Sequence, residues 1–290
     1  MKDFEGKVAV ITGAGSGFGR EFARIGAALG MKLALADIQA DALEATAAEL
    51  RAQGARLLTE TVDVSRGADV ERLAQRTLER FGAVHLLFNN AGVAAGGLVW
   101  EQTVKDWEWV LGVNLWGVIH GVRVFVPLML AQDDECHVVN TASVAGLLSP
   151  QMMGAYCVSK HGVVTLTETL YQDLRVTGAN IGVSLLCPAY VPTAITQSQR
   201  NRPAELQDDA APTASMLASQ KAMEKAVSSG RVSAAEVARM TFEAIRENRF
   251  YVITHPKILA SVALRMQDIV AQRNPGDPLG LEPGTSHPPG

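Results

Sequence analysis

The chain has 290 residues, 26 Lys+Arg against 30 Asp+Glu for a formal net charge of -4, 48% apolar residues and three cysteines. This composition excludes a disordered chain and a disulfide-built scaffold, and the length allows a core that needs no covalent staples. The slightly acidic balance leaves no electrostatic footprint for nucleic acid.

Cys136, Cys157 and Cys187 are odd in number and lack C-x-x-C spacing, so they read as buried small apolar residues of a reducing compartment. The six histidines include no H-x-x-x-H pair, and no metal is expected. The first residues hold no long apolar run ahead of a small-residue cleavage site, from which a cytoplasmic protein with no membrane partner is expected.

In chain order, short apolar runs alternate with helical patterns. Residues 8–12, 33–37, 57–62, 86–89, 138–141 and 181–187 read as six strands, almost continuously apolar, as strands buried on both faces are. Helical spacing occupies 20–29, 41–53, 69–81, 104–130 and 156–176. The most apolar of these stretches, 111–130, is interrupted by Asn114, His120, Arg123 and Pro127 and reads as a buried helix, not a membrane span.

Beyond Thr193 the texture changes. Residues 194–230, rich in Ala, Ser, Gln and Met with Pro203 and Pro212, read as short helices and loop covering a site. Ser233 is placed to cap a helix to Glu247, followed by a seventh strand at 250–254 and a last helix near 257–272. Residues 274–290 hold five prolines and four glycines, which predicts a disordered or subunit-clasping tail. The alternation predicts an α/β fold: a single doubly wound Rossmann-type domain over 1–273, with a parallel sheet of about seven strands and helices on both faces.

Directly after the first strand comes Thr12-Gly13-Ala14-Gly15-Ser16-Gly17-Phe18-Gly19, opening into a helix. Glycines let a backbone turn tightly and approach a pyrophosphate, and the N–H groups and dipole at a helix start favour its charge. The spacing departs from Gly-x-Gly-x-x-Gly, and alone it is equally a tight turn. Asp37, at the end of the second strand and 24 positions after Gly13, is placed to accept both hydroxyls of an adenosine ribose and to repel a 2′-phosphate. With Ile38 next to it and Ser16 in the turn offering no cation, the charge pattern favours NAD over NADP.

Tyr156 and Lys160, four apart in a helical pattern, project from one helix face, and Ser143 lies just past the fifth strand, at the sheet edge where open α/β folds bind ligands. A phenol is a poor base near neutral pH, and a neighbouring ammonium favours its ionised form. Ser143 is placed to donate to a substrate oxygen. Spacing alone also describes an ordinary half-exposed helix.

Thr12-Gly-x-x-x-Gly-x-Gly19, Asp63, Asn89-Asn-Ala-Gly92, Asn114, Ser143, Tyr156-x-x-x-Lys160 and 188–193 together resemble the short-chain dehydrogenase/reductase family, in order and spacing, over about 190 residues. The resemblance implies Tyr156 as general base for alcohol oxidation and acid for carbonyl reduction, and Lys160 as the partner that lowers its pKa and holds the nicotinamide ribose. It implies Ser143 as the residue positioning the substrate oxygen and Asn114 as the holder of a water in the proton relay, with a polar helix kink as the alternative. For NAD it implies contacts from Gly13, Ser16, Gly17, Phe18, Gly19 and Asp37. It adds Asp63 at the adenine amino group with Val64 beside it, Asn90, Ala91 and Gly92 along the adenosine side, and Pro188, Val191 and Thr193 at the carboxamide. One departure stands out: Ala189 follows Pro188 where the family has glycine, which is tolerable only at negative φ.

The expected pocket walls, 93–98, 144–148, Met152, Met153, Tyr190 and the segment after Thr193, are mostly apolar, which predicts a medium or bulky, mostly apolar secondary alcohol or ketone. The layout including 249–256 resembles bacterial members that oxidise benzylic alcohols of lignin-derived aryl ethers. Arg200 and Arg202 are placed to meet an acidic group, but two arginines in an exposed loop read first as solvated residues. The helix carrying Trp107, Trp109, Leu115, Trp116, Val122 and Phe125 offers more apolar surface than one sheet face covers, and the resemblance implies a homo-oligomer, a dimer or a dimer of dimers. Two alternatives stay open: an NADP-dependent carbonyl reductase of the same fold, and a nucleotide-binding regulator without turnover.

Overall fold

The computed structural model describes residues 1–208 and 210–278. Its strands are β1 (Val8–Thr12), β2 (Lys32–Asp37), β3 (Leu57–Thr61), β4 (Leu86–Asn89), β5 (Cys136–Thr141), β6 (Ile181–Cys187) and β7 (Tyr251–Ile253). They form one sheet in the order β3-β2-β1-β4-β5-β6-β7, and every neighbouring pair is parallel.

The strands read as continuous apolar runs because their alternate residues feed two cores. Ala9, Ile11, Leu33, Leu35, Phe88 and Leu186 face one side. There they meet α1 (Gly17–Ala28), α2 (Ala40–Ala52) and α8 (Ala234–Glu247). Phe22 of α1 stacks on Phe88 at 4.4 Å between ring centroids. Val10, Ala34, Leu87, Val138 and Val183 face the other side. That face is covered by α3 (Gly67–Phe81), α5 (Gly117–Gln132) and α6 (Gly154–Thr177). Each fully buried Leu, Val or Phe contributes about 1.5–3 kcal/mol of transfer free energy, so both layers are held mainly by burial.

The helix expected over 104–130 is divided. α4 (Val104–Leu111) passes through a π turn (Gly112–Trp116) before α5 begins. The extra residue in that turn points Asn114 inward, where its Oδ1 accepts from Val93 N at 2.8 Å and its Nδ2 donates to Val93 O at 2.9 Å and to Ser159 Oγ at 3.1 Å. Val104–Gln132 is long and apolar enough to cross a membrane by length and composition, yet its Phe125 and Met129 belong to the core under the sheet.

Ser233 caps α8 as expected, and Glu236 completes a capping box with it. In place of short helices alone, the segment after Thr193 contains two 3-10 turns (Ala194–Asn201 and Ala204–Leu206) and then a fifteen-residue helix, α7 (Ala214–Ser228), capped by Thr213. The last helix, α9, spans Leu259–Val270. Of the tail read at 274–290, residues 279–290 lie outside the described residues.

Candidate active site

The strand order reverses between β1 and β4, so the loops leaving these two strands part and open a cleft at the C-terminal edge of the sheet. Gly13 sits at φ 68°, and a Cβ there would meet Ala91 Cα at 3.0 Å. At Gly19 a Cβ would run into the Gly13 carbonyl, so this residue serves the packing of helix on turn and does not line the cleft. Ser16 precedes α1 without capping it through its side chain, and the first N–H groups of a helix have no partners within it.

Asp37 fastens this turn to β2. Its Oδ2 accepts from Gly15 N at 2.8 Å and its Oδ1 from Gln39 N at 2.9 Å. Thr12 Oγ1 accepts from Asn90 N at 2.9 Å and Ala91 N at 3.1 Å, which locks the 90–92 segment against the same turn. Asp63 accepts from Ser65 N at 3.0 Å and lies 3.4 Å from Arg66 Nε.

The cleft runs continuously from Asp37, Asp63 and Val64, past Gly13, Ser16, Gly17 and Phe18, to Asn90, Ala91 and Gly92, and reaches Ser143, Tyr156, Lys160, Pro188, Val191 and Thr193. A carboxylate at one end, a glycine turn with a helix start in the middle and a phenol beside an amine at the other suit the hydroxyls, pyrophosphate and ring of a dinucleotide. Asn114 is not in the cleft wall; it is fully buried behind it, fixing the loop at Val93.

Helix α6 sets Tyr156 and Lys160 one turn apart on the cleft floor. Lys160 is 4% exposed; its Nζ donates to Thr141 O at 3.0 Å and lies 5.7 Å from the centre of the Tyr156 ring. Burial pulls the Lys160 ammonium down to about 8 and pushes the Tyr156 phenol up to about 12, a hydrogen bond with Ser143 acting the other way. The lysine was expected to lower the phenol's pKa. Here desolvation governs both groups, because the ammonium lies over the ring face and spends a proton on the Thr141 carbonyl.

Ser143 Oγ accepts from Ala145 N at 3.1 Å and donates to Pro188 O at 3.3 Å, so β5 and β6 are tied at the substrate end. Ala189 is not among the positive-φ residues, which resolves how alanine is tolerated after Pro188.

Sequence reasoning missed some of the wall. Thr141 acts through its carbonyl, which no side-chain pattern announces. Met223, Val227 and Asn201 come from the segment after Thr193 that was expected to cover the pocket, whereas Gln39 lines the cleft without having been anticipated. Arg202 corrects the expectation of a solvated residue: its side chain is 7% exposed and pairs with Asp106 at 2.7 Å and Asp208 at 2.9 Å, and it lies over the Trp109 ring at 5.3 Å. The partner Asp106 is 96 positions away, so the pairing is invisible to local pattern. The three cysteines are free and buried.

Residues 7–204 match the short chain dehydrogenase family model. The crystal structure of a short chain dehydrogenase/reductase from Burkholderia phymatum in complex with NAD is 60% identical, covers 97% of this chain and 100% of its own, and superposes with a TM-score of 0.95. A CLA biosynthesis dehydrogenase/reductase of Lactiplantibacillus plantarum is 34% identical over 278 residues, 95% of this chain and 97% of the relative. A C alpha-dehydrogenase of Sphingobium sp. is 31% identical over 285 residues, 97% of this chain and 91% of the relative.

Proposed function

The chain belongs to the short-chain dehydrogenase/reductase family, and from that premise we propose that it passes a hydride between NAD(H) and a medium or bulky, mostly apolar secondary alcohol or its ketone, with Tyr156 as acid and base. The observation that carries this reading is the gathering of Tyr156, Lys160 and Ser143 at one end of a cleft whose other end holds Asp37.

Asp37 accepts the two adenosine ribose hydroxyls and repels a 2′-phosphate, which selects NAD. The glycine turn and the start of α1 carry the pyrophosphate, with Gly13, Ser16, Gly17 and Phe18 along it. Asp63 and Val64 meet the adenine, 90–92 line the adenosine side, and Pro188, Val191 and Thr193 border the carboxamide. NAD, when bound, supplies the hydride acceptor for alcohol oxidation.

Ser143, turning its proton away from Pro188 O, donates to the substrate oxygen and holds it beside the Tyr156 hydroxyl. Tyr156 takes the alcohol proton during oxidation and returns it during reduction. Lys160, whose pKa is near 8, is the group close enough to neutrality to pass that proton onward, and it holds the nicotinamide ribose. Asn114 supports this floor from behind through Val93 and Ser159.

Leu148, Met153, Tyr190, Met223 and Val227 make the substrate end apolar. Val104 of α4, Trp116 of the π turn and Leu130 of α5 are exposed apolar side chains, which supports pairing with a second copy of the chain. A panel of secondary alcohols scored by NADH absorbance, beginning with aryl carbinols, tests the reading. Turnover of at least one bulky apolar member is expected, with NADP supporting little; a chain that binds NAD and oxidises none of them contradicts it.

A further inference from the structure

Downstream of β5, the hydroxyl side chains that line the cleft are those of Ser143, Tyr156, Tyr190, Thr193 and Ser198. All but one are engaged. Ser143 Oγ donates to Pro188 O at 3.3 Å and meets the Tyr156 phenol. Thr193 Oγ1 accepts from Ile195 N at 3.5 Å, and Ser198 Oγ accepts from Ala94 N at 3.1 Å. The Tyr190 hydroxyl makes no hydrogen bond among the described residues, and Tyr190 keeps 37% of its surface open for a ligand to reach.

The Tyr190 carbonyl abuts Gly230, just past α7, where a Cβ would run into it. Its phenol lies on the side of the first turns of α6. Burial is the main cause of the raised Tyr156 pKa and the Tyr190 phenol adds to it; burial, and then the Cys157 thiol, raise that of Tyr190 itself. The cations in this stretch of the cleft are directed elsewhere, Lys160 to Thr141 O and Arg200 to Gln39 and Gln197. Leu148, Met153, Met223 and Val227 offer no polar atom of their own beyond the backbone and a thioether. A ligand that fills this end displaces water from the phenol, which costs free energy unless the ligand brings a partner for it.

We propose that Tyr190 is a specificity-determining residue whose hydroxyl donates to a second, neutral oxygen of the substrate, while Ser143 and Tyr156 hold the reacting carbinol. The proposal rests on the dehydrogenase reading above and narrows its substrate class to secondary alcohols that carry an ether, hydroxyl or carbonyl oxygen on the apolar part. With both cations turned away, nothing at this end offsets the desolvation of a carboxylate, so an acidic group is disfavoured there.

Aryl methyl carbinols bearing a methoxy, an ethyl or a carboxylate group at each ring position in turn test this, with kcat/KM for oxidation measured in wild type and Tyr190→Phe. Methoxy and ethyl differ by one oxygen for one methylene, so their ratio reads the hydrogen bond and little else. In wild type the best-placed methoxy isomer is expected to exceed its ethyl counterpart about five-fold, the scale of one neutral hydrogen bond, and to exceed the carboxylate as well. Tyr190→Phe abolishes the methoxy preference, keeps the ethyl carbinols within about two-fold and leaves NADH affinity unchanged, because only the hydroxyl is removed. A methoxy preference that survives in Tyr190→Phe, an equal loss for both substrates, no preference at any ring position, or a preferred carboxylate overturns the assignment. Wild type that binds NADH and oxidises no member of the panel overturns the dehydrogenase reading itself, a separate result.

Discussion

Both ends of the sheet bury titratable groups; Tyr156 and Lys160 line the cleft at one end, whereas His137 does not line the cavity at the other. At the C-terminal edge, Tyr156 is pushed up and Lys160 pulled down by desolvation, and both open onto the cleft. At the N-terminal edge, His137 of β5 is 0% exposed and pulled down to about 3, also by burial. Its Nε2 lies 2.9 Å from Ser184 Oγ, whose own proton goes to Arg249 O at 2.7 Å, so the ring donates to the hydroxyl. His85 nearby accepts from Val8 N at 3.0 Å and meets Asp134 at 3.1 Å. The histidine shift is the larger, yet it belongs to strand pairing. A displaced pKa marks chemistry only where substrate can reach the group.

Removing the charge at the open end breaks the comparison most sharply. Lys160→Met is expected to lower turnover by about 10²–10⁴-fold, because a proton carrier and a ribose ligand are lost together. The same variant without cofactor gains about 1–3 kcal/mol in urea denaturation at pH 7, since a buried ammonium no longer has to be desolvated. The folded pKa near 8 lies below the ordinary 10.5, so the wild-type penalty is complete below pH 8 and fades as pH rises to 10.5. The gap between variant and wild type narrows over that window. A variant less stable than wild type at pH 7 contradicts burial as the governing cause.

At the closed end the expected effect is on stability alone. The folded state keeps His137 neutral down to about pH 3, against an ordinary value of 6.5. It therefore binds fewer protons than the unfolded chain, and stability falls by up to about 1.4 kcal/mol per unit as pH drops below 6.5. His137→Asn keeps an N–H donor for Ser184 and flattens that slope between pH 6.5 and 4, with turnover held within about two-fold. Urea midpoints across the range, with assays at neutral pH, measure both. An unchanged slope, or a large loss of turnover, erases the distinction between the two ends.

How much of this was legible in the sequence follows the reach of each interaction. Strands β1, β4 and β6 declared themselves with their boundaries because burial on both faces makes every residue apolar. The glycine turn, Asp37 and the Tyr156–Lys160 pair were readable because backbone sterics and helix periodicity fix them locally. The π turn at Gly112–Trp116 was not, since one extra residue leaves the apolar pattern of a long helix nearly intact. Nor were Arg202's burial and Asn201's place in the cleft wall. Arg202 is held by Asp106, 96 positions away in the chain, and Asn201 lines the cleft beside residues that chain order sets far from it. The direction of the Tyr156 shift was likewise hidden, because spacing puts the lysine on the right face without saying which atom receives its proton.

The most direct test is Tyr156→Phe, assayed for alcohol oxidation and for NADH binding in parallel. Loss of oxidation by at least about 10²-fold, with NADH affinity nearly unchanged, is the predicted result, because the phenol oxygen moves the proton and the rest of the cleft holds the cofactor. Oxidation by the variant at close to the wild-type rate would contradict the account.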